Sequence, residues 1–164
     1  MTTELDRFRA HGMRILVAAG WAATLGLGAL GLVLGADHLA LVVAMAAIAN
    51  AAPTAMVLRR RHDEAARLVT GTLAAVYPAL AVFLLKGDPW QMDAHMYFFV
   101  ALAALVVLCD WRPIALASGL ILVHHLLIEA VMPGWVFNGS GNLARVLLHG
   151  VAVGLQLAVL GYVT

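Results

Sequence analysis

Apolar residues run in six long stretches along this chain, and short polar or helix-breaking clusters separate them. The stretches are about 15–35, 39–58, 68–85, 90–111, 113–132 and 143–163. Each approaches the roughly 20 residues that an α-helix needs to cross the hydrocarbon of a bilayer. The separators are Gly35-Ala36-Asp37, the run Arg59-Arg60-Arg61-His62-Asp63-Glu64, Lys86-Gly87-Asp88-Pro89, Arg112-Pro113, and Pro133-Gly134 through Asn142. The pattern predicts an all-α fold: a polytopic bundle of six transmembrane helices forming a single domain over 1–164. The fourth helix has a start signal, with Asp88 as N-cap and Pro89 at the first position. Trp90 and Trp111 stand near its ends, about 31 Å apart along a helix, which suits two aromatic belts.

Composition agrees with that pattern. The 164 residues are 63% hydrophobic and 12% charged, against about 25% charged in a soluble domain. A disordered chain, a nucleic-acid binder and an ordinary soluble enzyme are excluded. The first apolar run is too long for a cleavable signal peptide and no small-residue cleavage pattern ends it, so it is expected to stay as a helix. Arg7, Arg9, Arg14, Arg59, Arg60, Arg61, Arg67 and Arg112 fall on one side of a six-span topology, and only Lys86 and Arg145 on the other. The positive-inside rule then places both termini in the cytoplasm. Small residues four apart (Ala22/Gly26, Gly31/Gly35, Gly150/Gly154) suit close helix contact within the bundle or in a homodimer.

Ionisable side chains inside a bilayer are costly and mark candidate sites. His95 on the fourth helix, His124 and His125 on the fifth and His149 on the sixth all lie roughly 7–12 Å below the outer surface at 1.5 Å per residue. His125 and Glu129 share a helix face, while His124 points about 100° away. His95, His125, His149 and Glu129 are a donor set for a transition metal. Imidazole suits copper, zinc, iron or nickel, and the thioethers of Met92 and Met96 tilt the choice to copper. Asp93, His38, Arg145 and Gln156 are weaker or supporting candidates. The alternative cofactor is haem b, with axial ligands from His95, His124, His125 and His149 and with Lys86 or Arg145 near the propionates. A third reading is a proton- or ion-coupled transporter using Asn50, Tyr77 and Gln156 in the inner half. A plain membrane anchor, with histidines that only bridge helices, is the simplest one. No Ser/His/Asp set, phosphate-cradling glycine loop or HExxH motif is present, and no enzymatic role is expected.

Asp93-Ala94-His95-Met96, Cys109-Asp110-Trp111-Arg112, His124-His125-Leu126-Leu127, Val136-Phe137 and Arg145-Val146-Leu147-Leu148-His149 occur in that order. Over about 93–160 this resembles the multi-span N-terminal membrane sensor module of bacterial methyl-accepting chemotaxis proteins. The resemblance implies a sensory module of the bacterial inner (cytoplasmic) membrane. It also implies a cytoplasmic signalling domain, or the chemotaxis machinery, as partner beyond Thr164, and His95, His124, His125 and His149 as sensing-site residues. No HAMP-like region or methylation hairpin lies within these 164 residues.

Overall fold

A computed structural model describes residues 3–137 and 142–164; among these, helices joined by short connections make up the fold and there is no strand. Six helices are long and apolar enough to cross a membrane: α1 (Glu4–Leu34), α2 (Leu39–Leu58), α3 (Glu64–Leu84), α4 (Gln91–Leu108), α5 (Trp111–Val131) and α6 (Leu143–Val163). The second and sixth coincide with the apolar runs. The first begins eleven residues before its run, at Glu4 rather than 15. There Thr3 and Asp6 close a reciprocal capping box, which extends the helix through its polar first turns. The third starts at Glu64 because Asp63 caps it by accepting from the Ala66 amide.

The junction between α4 and α5 corrects the expected boundaries. The fourth span stops at Leu108, and Trp111 opens the fifth instead of closing the fourth. Leu105–Leu108 tightens to a 3-10 turn, Cys109 takes a left-handed backbone at φ 48°, and Asp110 caps α5 by accepting from the Arg112 amide. Asp88 caps a turn at Trp90 by accepting from its amide, and regular helix begins only at Gln91.

In lipid, tails solvate apolar side chains as well as neighbouring helices do, so close packing and polar contacts hold a bundle together. α3 is the most buried span and touches α1, α2, α4 and α5. A Cβ on its Gly71 would lie 2.7 Å from Pro113 of α5. Between α1 and α2, a Cβ on Gly20 would lie 2.8 Å from Asn50, whose amide donates to the Val17 carbonyl. Tyr77 of α3 bonds Thr24 of α1 at 2.8 Å and donates to the Ala46 carbonyl of α2. At the end bearing Asp63, Arg67 and Asp110 form a buried ion pair at 2.7 Å, and Arg67 also donates to the His62 carbonyl. α6 lies at the rim, packed chiefly on α5.

The candidate small-residue pairs divide. Gly31 faces Leu39 and Gly150 faces Leu122, whereas Gly26 and Gly154 open to free space.

Candidate histidine site

His95 occupies a tightened turn within α4. Its amide bonds Met92 and its carbonyl accepts from Phe98, both three residues away, so the helix is overwound at this position. The imidazole is 2% exposed and turns towards α5 and α6. There it meets His125 of α5 and His149 of α6, at ring-centroid distances of 5.6 Å and 5.7 Å. His125 and His149 stand 5.9 Å apart. Three helices thus bring three imidazoles to one point.

Each ring is oriented the same way. Nδ1 of His95 bonds the Gln91 carbonyl at 3.0 Å, Nδ1 of His125 that of Ile121 at 2.8 Å, and Nδ1 of His149 that of Arg145 at 2.8 Å. A carbonyl only accepts, so Nδ1 carries the proton and a neutral ring keeps its lone pair on Nε2. Nε2 of His95 and of His125 is buried without a hydrogen-bond partner. A histidine held by backbone on one nitrogen with a lone pair left on the other is oriented as a metal-ligating histidine is in other proteins.

Ring spacing comes close to what an ion requires. Three imidazole nitrogens at about 2.0–2.1 Å from a shared metal place their ring centroids about 5.2–5.5 Å apart. The observed separations are slightly wider, and among the described residues no group of three or more His, Cys, Asp or Glu side chains is placed to hold a metal ion. A cavity of about 10 Å³ lies beside His125 and His149, walled by Ile121, Leu122, Val146 and Gly150. That is the volume of about one water-sized sphere.

Other predicted residues fall in different places. His124 lies 5.4 Å from His125 but is turned towards Phe98 and lies outside the triad. Glu129 accepts from the Asn142 amide at the start of α6, and its second oxygen is buried without a partner. Met92 packs on Val136, Phe137 and Val146, whereas Met96 is 62% exposed on the outer face of the bundle. Asp93 is exposed. Arg145 is exposed and holds Asn142 at 3.0 Å. Gln156 donates to the Phe99 carbonyl of α4 at 2.9 Å, tethering α6 further along its length. His38 stacks on Phe83 and takes no part in the triad.

Two residues that frame the site were not assigned to it from the sequence, although Phe137 stands in the Val136-Phe137 motif. Phe137 is fully buried and lies flat on the His95 ring, 4.9 Å away with 8° between planes, and it also borders His125 and His149. Gln91 is fully buried as well. Its side-chain amide donates to the Trp135 carbonyl at 3.3 Å, its side-chain oxygen accepts from Gly87, and its backbone carbonyl holds His95. Gln91 therefore fixes both the loop that carries Phe137 and the ring beneath it. The available signal was an amide one helical turn before His95 in an otherwise apolar stretch.

Compared with known proteins, the chain matches no family model, and no curated protein or solved structure is similar to it.

Proposed function

We propose that this chain is a sensory module of the bacterial inner membrane, with both termini in the cytoplasm, that binds a transition metal through His95, His125 and His149. One observation carries the reading. Three imidazoles from three helices converge with Nδ1 held by backbone, and two of them bury an Nε2 that nothing satisfies. A bound cation supplies the missing partner. Copper is the favoured metal on ligand type, with Met92 the one thioether packed beside the loop over the triad. A haem would need the three rings parted and Phe137 lifted away, so an ion suits the spacing better.

α6 is the output element. It meets the bundle through α5, through His149 and through Gln156. Drawing His149 inwards on metal binding biases α6 between two positions, by the difference in metal affinity of the two states. The resemblance to chemoreceptor sensor modules makes a cytoplasmic signalling domain the receiver, and it suits a homodimer.

The test is metal analysis and an absorption spectrum of the purified protein, as isolated and after reduction, for wild type and for His95→Ala, His125→Ala and His149→Ala. Bound metal that falls in each variant, with no Soret band, supports the reading. A Soret band with sharp reduced α and β bands would replace it with bis-histidine haem. Metal content unchanged in all three variants would refute it.

A further inference from the structure

We infer that the end of the bundle away from the Arg67–Asp110 pair carries a second site, which takes a small zwitterion: an ammonium and an anionic group on a short apolar frame. The inference does not rest on the metal-binding reading above. A cavity of about 440 Å³ opens there between the turn that joins α1 to α2 and the turn that joins α3 to α4. Small-molecule sites span about 300–1,000 Å³. Asp37 and His38 border it from the first turn, Lys86 and Asp88 from the second, and Phe83 of α3 adds an apolar wall. Gly35 and Gly87, at φ 60° and 80°, bend the two turns, and where a Cβ would project from either there is open space.

The charge layout selects the ligand. Two carboxylates and one ammonium border a single cavity, and among the described residues none of Asp37, Asp88 and Lys86 is in an ion pair. Neighbouring contacts hold the walls in place. Lys86 lays its ammonium over the Trp135 ring, 5.6 Å from the centroid, and Asp88 accepts from the Trp90 amide. Phe83 stands between the rings of His38, at 5.4 Å, and Trp135, at 4.8 Å. An amine alone would leave Lys86 without a partner, and an acid alone would meet two carboxylates. A zwitterion answers both signs, and the excess of carboxylate makes its ammonium the stronger attachment. The Gly87 amide donates to Gln91, whose carbonyl holds His95, so a ligand here lies against the segment that positions the histidine site. A free amino acid and the phosphoethanolamine headgroup of a lipid share this chemistry.

The experiment is isothermal titration calorimetry of the full chain in phosphatidylglycerol nanodiscs. Leucine is compared with 3-methylbutylamine, which lacks its carboxylate, and with 4-methylpentanoate, which lacks its ammonium. The expected result is one leucine per chain, with the amine weaker by about fivefold and the acid weaker still. Asp37→Asn should weaken leucine and the amine alike by about fivefold. Lys86→Gln should weaken leucine by a similar factor and leave the amine within about twofold, a split that loss of the fold would not produce. Leucine binding that falls when phosphatidylethanolamine is added to the discs assigns the cavity to a lipid headgroup, and binding that ignores it assigns a free solute. Acid binding as tight as leucine, no binding of any probe, or Asp37→Asn without effect would overturn the assignment and leave the histidine site untouched.

Discussion

A buried polar atom left without a partner costs about 1–3 kcal/mol, and His95 and His125 each carry one on Nε2. A bundle that only needed interhelical contacts would lose little by replacing such rings. His125→Leu is therefore expected to leave the metal-free protein as stable as wild type, or slightly more so, while removing metal binding. Thermal unfolding with and without metal checks this: the wild type gains stability on loading and the variant does not. Acid should act in the same direction. Ligation needs the neutral ring, so acid strong enough to protonate the imidazoles weakens binding. Asp63 separates that effect from general acid unfolding. The Arg61 guanidinium bonded to it, together with the Ala66 amide, lowers its pKa to about 2. A depressed carboxylate supports the fold above its unfolded pKa of about 3.9, and that support is lost only as pH falls towards 2. Loss of metal at a pH well above 2, followed by binding assays at each pH, thus reports imidazole and not this loop carboxylate. Gln91 belongs to the same scale. Gln91→Leu strips the partners from the Trp135 carbonyl and the Gly87 amide, so the segment over His95 should exchange amide hydrogen faster, which mass spectrometry would detect.

Helix–helix contacts are built on very short approaches, and these set the sensitivity of each element. Gly20→Ala forces a Cβ against Asn50, which also bonds the Val17 carbonyl and so has little freedom to move. The expected loss is about 1–3 kcal/mol, whereas Gly26→Ala on the same helix enters open space and should be neutral. Melting curves of the two variants in one detergent make the comparison. Asp110→Ala is expected to cost more, about 3 kcal/mol, because it strands the buried Arg67 guanidinium with only the His62 carbonyl. Element boundaries were legible where a run met a strong cap or breaker, as at Gly35 and Leu39. They were misread at Trp111 because the left-handed turn at Cys109 is invisible to hydropathy. Asp110 is both the cap of α5 and the partner of Arg67, and only the second role is a long-range fact.

Across the whole molecule, level along the bundle was readable from the sequence and azimuth was not. Counting residues from the ends of each run put four histidines at one level. Which of the adjacent His124 and His125 turns inwards depends on how α5 is rotated against α4 and α6. Packing settles it in favour of His125, at 3% exposure and within 6 Å of both partner rings. The packing of Phe137 on His95 was hidden for a related reason, since Phe137 comes from a connecting segment whose path no periodicity encodes. α6 stands out in the assembled bundle as the least enclosed span, tied to α4 by His149 and Gln156. If it is the output, metal should shorten the distance between spin labels on α4 and α6, and Gln156→Leu should leave metal affinity intact while damping that shift.

The most direct measurement of the central claim is a histidine-selective nitrogen-15 NMR spectrum of the protein in lipid, taken before and after metal addition, with the single His→Ala variants as assignments. Without metal, His95, His125 and His149 should each show a protonated Nδ1 and a bare Nε2. On loading, the three Nε2 signals move together while Nδ1 stays bonded to its carbonyl. Protonated Nε2 atoms in the metal-free protein, or Nε2 signals that ignore added metal, would contradict it.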